Sequence, residues 1–271
     1  MAAPPLKHRR VLITGASAGI GEAFARVFAE HGFDLVLVAR SGGKLNQLAS
    51  ELKREHNVGV HTFTCDLNAP NACEHLYRYC HGLEIGVLVN NAGVMYHGHF
   101  IEQPASSIDT IVQLNIASLT QLTRCFLPDM LEQGSGRILN VTSTSGFMPG
   151  PTIAVYAASK AYILSFTEAI AEEIRGSGVY ATAFGPGFTD TDMAADSFGE
   201  DIKSDPFSAF LMMGVEEVAR EGYRACMEGD VVSIPGVANN LLNTINRLQP
   251  KWMSRRVQAY LYRNFLDGHG S

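Results

Sequence analysis

No stretch of this chain approaches the ~20 uncharged apolar residues of a membrane-spanning helix, so a spanning bundle is excluded. An apolar signal core is also missing: MAAPPLKHRR runs directly into a β-rich segment, which gives the expectation of a soluble, cytoplasmic protein. Cysteine is sparse. Cys65, Cys73, Cys80, Cys125 and Cys226 are odd in number and show neither CxxC nor Cys/His spacing, which argues against a disulfide framework or a metal site and for reduced packing residues. Basic charge is in deficit as well, with 21 Lys and Arg against 27 Asp and Glu, a formal net charge of −6. A general nucleic-acid surface is normally basic, so no nucleic-acid partner is expected. Repeats, low-complexity tracts and long polar linkers are absent too, and one domain over residues 1–271 is the simplest organisation.

What is present alternates. Apolar β-rich runs recur at Val11–Thr14, Leu35–Ala39, Val58–Phe63, Ile85–Val89, Arg137–Val141, Val179–Phe184 and Val231–Ile234, with helix-period segments between most of them. This order implies right-handed βαβ units and a doubly wound α/β domain, its parallel sheet of about seven strands covered by helices on both faces. Residues 8–235 form the core of that plan. Residues 188–213 mix Gly, Pro, Asp and Ser with Met193, Phe198, Phe207, Phe210 and Met213, and read as a substrate lid, with an irregular packed excursion as the alternative. Residues 237–271 form a helical extension with helices expected at Leu241–Leu248 and Trp252–Leu266, separated by Pro250. The second is basic and amphipathic, carrying Arg255, Arg256 and Arg263 beside Trp252, Tyr260, Leu261, Phe265 and Leu266. Such a helix can pack on the domain, on another subunit or on a membrane surface.

Two local patterns carry chemistry. Tyr156 and Lys160 in YAASK stand one helical turn apart, on one face. A free phenol has a pKa near ~10, and a neighbouring ammonium that stabilises the phenolate makes it a usable acid or base; a merely packed and solvated pair is the plainer alternative. Immediately after the first strand, Thr14-Gly15-Ala16-Ser17-Ala18-Gly19-Ile20-Gly21 opens an amphipathic helix. Glycines in a strand-to-helix turn let a pyrophosphate approach the backbone, where free N–H groups favour its charge. The spacing is GxxxGxG rather than GxGxxG. At the end of the second strand, where NAD sites place a ribose-binding carboxylate, stand Ala39 and Arg40. A guanidinium there can bind a 2′-phosphate, which favours NADP(H).

With TGASAGIG, NNAG at Asn90–Gly93, Asn115, Ser143, YAASK and PGFTDT at Pro186–Thr191 in order, the sequence resembles the short-chain dehydrogenase/reductase family over roughly residues 8–235. The resemblance implies a single Rossmann-type domain and a catalytic tetrad of Asn115, Ser143, Tyr156 and Lys160. In that pattern Ser143 binds the substrate oxygen and Tyr156 protonates it. Lys160 tunes the phenol and holds the nicotinamide ribose, and Asn115 supports a water leading to solvent. Donors aimed at an oxygen that gains charge lower a barrier more than they aid ground-state binding. The cofactor residues it implies are Gly15, Ser17, Ala18, Gly19, Ile20, Gly21, Arg40, Asp66, Leu67, Asn91, Ala92, Gly93, Tyr156, Lys160, Pro186, Gly187 and Thr189. Asp66 also reads as an N-cap for a helix near Pro70. Ala18 lacks the basic side chain of some NADP-dependent relatives, so the NADP reading rests on Arg40.

These residues lead to the expectation of an NADP-dependent oxidoreductase interconverting a hydrophobic ketone or aldehyde with its alcohol. Its pocket is expected from Ser145–Ile153, residues 188–213 and Met95–His99, including Phe147, Met148, Ile153, Phe198, Phe210 and Met213. His97 and His99 read as solvent-exposed loop residues. A homodimer or homotetramer through Ala105–Leu131 and Tyr156–Arg175 is usual in the resembling family. Isomerisation or dehydration, or a non-catalytic NADP(H) sensor or scaffold, are the rival functions.

Overall fold

The computed structural model describes residues 3–191, 193, 211–248, 253 and 255–257. Seven strands form one sheet: β1 Arg10–Thr14, β2 Asp34–Ala39, β3 Val60–Thr64, β4 Val87–Asn90, β5 Gly136–Val141, β6 Val179–Phe184 and β7 Val232–Ser233. Their order is β3-β2-β1-β4-β5-β6-β7, with every neighbouring pair parallel. The runs of Val, Ile and Leu form buried strands because helices cover both faces. Val11 and Ile13 of β1 join one apolar cluster, and Leu12 between them joins the other. Strand order reverses between β1 and β4, and the carboxyl ends of the strands there open the crevice in which such sheets bind ligands.

Helices α1 (Gly19–Glu30), α2 (Gly42–His56) and α7 (Val215–Glu228) cover the first face, and α3 (Ala72–Tyr79) and α5 (Leu119–Gln133) the second. Helix α1 buries Phe24, Val27 and Phe28; Phe28 meets Phe33 and Tyr223 edge-on at 5.2 and 5.0 Å. Helices α6 (Ala154–Glu173) and α8 (Val237–Leu248) complete the set used below.

Four expectations need correction. The helix expected over Ala105–Leu131 is α4 (Ala105–Ile111), a π-helical turn at Val112–Ser118, and then α5. Ser118 Oγ donates to the carbonyl of Gln113 five residues back and to Leu67, which fits the wider turn. Strand β3 starts at Val60, because the Gly59 N–H is held by Asp34 Oδ1 and marks a turn. Asp66 caps no helix: its carboxylate accepts from the Asn68 N–H in a local turn, and α3 begins only at Ala72. Helix α8 begins four residues before Leu241, because Asn239, a poor helix former, finds a tertiary partner in the Leu211 carbonyl.

The two ends of the expected lid meet. Thr189 bridges Met213, the Asp190 N–H donates to Met213 O, and the Met213 N–H donates to Phe188 O. Phe198, Phe207 and Phe210 lie outside the described residues, as do Pro250, Trp252, Tyr260, Leu261, Arg263, Phe265 and Leu266.

Candidate active site

The loop between β1 and α1 is shaped by what its glycines leave out. A Cβ on Gly21 would stand 2.2 Å from Gly15 O, and one on Gly15 2.9 Å from Asn91 Nδ2. Only glycine lets the helix start fold this tightly over the carboxyl end of β1. Asn91 fastens the loop from the β4 side, its Nδ2 donating to Thr14 O at 3.0 Å and Gly15 O at 3.3 Å. Thr14 Oγ1 accepts from the N–H groups of Asn91 and Ala92, so β1 and β4 are tied where their order reverses. Ala18, in extended conformation, provides no side-chain cap for α1. Among the described residues no side-chain cap occupies the first N–H groups of that helix, which makes them a candidate site for phosphate. Ser17 and Ile20 are half-buried in the same loop, beside Gly19.

Arg40 lies exposed just beyond β2 and makes no ion pair among the described residues. Asp66 is exposed and Leu67 buried at the end of β3. Together the glycine cradle, the exposed guanidinium and the β3 end line the half of the crevice suited to a dinucleotide.

The second half is built on α6. Its inward face is unusually polar, with Ser159, Lys160 and Thr167 buried alongside Tyr156 and Ile163. Lys160 Nζ donates to Val141 O at 2.9 Å and lies 5.5 Å from the Tyr156 ring centroid. Burial pushes the Lys160 pKa down to about 8. The ammonium expected beside Tyr156 is thus present at neutral pH, but held against a desolvation cost.

Asn115 arrives from the π-helical turn. Its Oδ1 accepts from the Val94 N–H at 2.9 Å, and its Nδ2 donates to Val94 O and to Ser159 Oγ at 3.0 and 3.1 Å. Both amide donors are therefore used inside the protein. A Cβ on Gly93 would be 3.2 Å from Asn115 Oδ1 and 3.6 Å from Lys160 Nζ, so Gly93 lets this loop close over both. Ser143 begins the 3₁₀ turn Thr144–Phe147, which packs on α6. Its Oγ accepts from the Ser145 N–H, leaving the hydroxyl hydrogen available for donation. The Thr144 N–H donates to Pro186 O, bringing the Ser143 turn to the Pro186–Thr189 segment, where Thr189 Oγ1 donates to Gly187 O.

Pattern reading missed Ser159 and Asn239. Ser159 is fully buried, accepts from Asn115 and donates to Tyr156 O at 2.7 Å, coupling two tetrad positions. Its place immediately before Lys160 was the only signal for it. His97 is half-buried rather than exposed, whereas His99 is exposed as expected. Tyr96, Phe100 and Ile101 leave apolar surface beside the site.

Comparison with known proteins identifies the family and the fold. A family model described as short chain dehydrogenase matches residues 9–201. The very-long-chain 3-oxoacyl-CoA reductase of Mus musculus is 31% identical over 250 residues, which cover 91% of this chain and 77% of that protein. Among solved structures, a short-chain dehydrogenase from Sphingobium yanoikuyae in complex with NADPH is 32% identical with a TM-score of 0.78, covering 88% of this chain and 93% of that one. The bulky-bulky ketone specific alcohol dehydrogenase from Comamonas testosteroni is 30% identical with a TM-score of 0.75, covering 88% and 92%.

Proposed function

The chain belongs to the short-chain dehydrogenase family, and from that premise we propose that it is an NADP-dependent reductase of hydrophobic ketones. The observation that carries this reading is the gathering of Asn115, Gly93, Lys160 and Tyr156 across the crevice from the glycine cradle. The cofactor fits the residues present. Gly15, Gly19 and Gly21 leave room for a pyrophosphate at the start of α1, and Arg40 is an exposed cation where a 2′-phosphate would lie. The NADPH complex of the relative from Sphingobium yanoikuyae supports the same cofactor.

NADPH, when bound, supplies the hydride that reduces a carbonyl carbon. This chain's residues act on the oxygen. Tyr156 donates its phenolic proton there, and Ser143 donates a hydrogen bond that strengthens as negative charge develops. Lys160, still mostly protonated at neutral pH, favours the phenolate left behind. Asn115 holds the Val94 backbone and, through it, the loop closing over Lys160. The proposed tetrad is therefore two donors, one charge and one clamp.

Half-buried Phe147 and Met148 on the turn that Ser143 begins, with exposed Tyr96, Phe100 and Ile101 in the segment after β4, support an apolar substrate; Met213, expected in the pocket, is instead buried in the core. A ketone on a long alkyl chain or between bulky groups suits that lining, and 3-oxoacyl thioesters are the first class to examine. Exposed Val112 in the π turn, Leu131 on α5 and Tyr162 on α6 support association into a homo-oligomer.

The test is oxidation of NADPH with a panel of 3-oxoacyl-CoA chain lengths, bulky aryl ketones and polar sugar ketones, followed by nicotinamide absorbance. Turnover is expected to rise with apolar size, and Tyr156→Phe to lower it by roughly 10²–10⁴ while NADPH still binds. NADPH binding without turnover of any ketone, or full activity in Tyr156→Phe, would overturn the proposal.

A further inference from the structure

Helix α8 is amphipathic in the wrong direction for a helix whose purpose is to close a core. Among its described side chains Asn239 and Asn243 are the buried ones, 6% and 2% exposed, whereas Val237, Leu241 and Ile245 are 89%, 61% and 45% exposed. Spacing by four places those three along one outward stripe. On the inward face Asn239 has its own partners. Asn239 Nδ2 donates to Leu211 O, and a Cβ on Gly187 would stand 2.7 Å from Asn239 Oδ1. The orientation is therefore set by specific contacts with the loop that follows β6. Helix α8 also packs on the Thr144–Phe147 turn that Ser143 begins, so the apolar stripe sits beside the site.

Charge segregates in the same part of the chain. Residues 237–271 contain Arg247, Lys251, Arg255, Arg256 and Arg263 against Asp267 alone. The total of −6 is thus +4 on this segment and −10 on all the rest. Arg255 and Arg256 are exposed, as is Val257 beside them. Phe100 and Ile101, 62% and 91% exposed, add apolar side chains at the same carboxyl edge of the sheet, in the loop after β4. Among the described residues no helix is long and apolar enough to cross a membrane.

We propose that the C-terminal part of the chain, with Val237, Leu241 and Ile245 of α8 and the exposed Arg255 and Arg256, docks on the surface of an anionic lipid bilayer. Apolar side chains entering the headgroup boundary, flanked by cations that meet anionic headgroups, are the two parts of interfacial binding. Net negative charge over the remainder of the chain orients the approach, because the C-terminal segment carries the net positive charge. Docking turns the mouth of the site towards the phase in which an apolar ketone concentrates. The inference does not depend on which ketone is reduced, since binding is read without substrate.

Full-length protein is sedimented with vesicles of phosphatidylcholine plus phosphatidylglycerol, and in parallel with phosphatidylcholine alone, at low and high salt. Wild type is expected to pellet with the anionic vesicles and to be released by salt. L241S/I245S and R255E/R256E are each expected to weaken the partition at least about tenfold, while NADPH turnover of a water-soluble ketone stays at the wild-type level. Wild type remaining in the supernatant with anionic vesicles would overturn the proposal, as would L241S/I245S pelleting like wild type. So would a lipid-free gel-filtration shift of L241S/I245S to a smaller species, because the stripe would then be covered by a second copy of this chain.

Discussion

Helices α1 and α6 pack on the same sheet but bury opposite chemistry. Helix α1 turns Phe24, Val27 and Phe28 inward, whereas α6 turns Ser159, Lys160 and Thr167 inward with Tyr156. Buried aromatic area stabilises a fold roughly in proportion to its size. Buried polar groups do so only when fully paired, and a buried ammonium works against the fold. The α1 side of the molecule is therefore built for stability, and the side under Tyr156 carries buried polar groups that contribute little to it.

The largest separation of the two helices should come from Phe28→Ala, which removes a ring packed on Phe33 and Tyr223. A loss of about 3–5 kcal/mol is expected in urea denaturation, with the activity of the remaining folded fraction unchanged. A loss under about 1 kcal/mol would show that α1 is not the stabilising member of the pair.

Lys160→Met should do the reverse, suppressing ketone turnover while sparing or raising stability. The folded-state pKa of about 8 lies below the ordinary 10.5, so below pH 8 the folded protein carries the whole desolvation penalty. That penalty is about 3 kcal/mol by the proton linkage and disappears as pH rises through 10.5. Losing the Nζ bond to Val141 O takes back about 1 kcal/mol. The variant should be about 2 kcal/mol more stable than wild type at neutral pH, with that advantage lost by pH 10.5. A variant less stable than wild type at pH 7 would contradict the buried-charge account.

Smaller effects test the two ends of the crevice. Arg40→Asp should raise the KM for NADPH by about 10–100-fold and improve tolerance of NADH, through loss of a charge-assisted contact. An unchanged cofactor preference would place the 2′-phosphate on another cation. Ser159→Ala should cost about tenfold in kcat and move the pH profile, because Asn115 loses the acceptor that ties it to α6. Reduced stability with an unaltered pH profile would make Ser159 a packing residue only.

Much of this was legible beforehand because it depends on local repetition. Runs of buried β-branched and aliphatic residues identified the strands, with ends displaced by a residue or two, and the glycine loop and YAASK stood at sites defined by spacing. The π turn was not legible, since it depends on Ser118 reaching Gln113 and Leu67 at once. Nor was the part played by Ser159, whose two partners lie on different elements or different turns. The direction of α8 was hidden for a similar reason: its pattern showed two faces without saying which would be buried.

By itself, the order of residues determined the strand–helix alternation, the glycine-rich loop after β1 and the presence of a phenol and an ammonium one turn apart. Those features need only backbone geometry and near neighbours. Tertiary structure decided that Lys160 is buried, that Asn115 is clamped between Val94 and Ser159, and that α8 shows its apolar stripe to the outside. Burial and partner choice belong to residues distant in sequence, so they exist only once the chain has closed on itself.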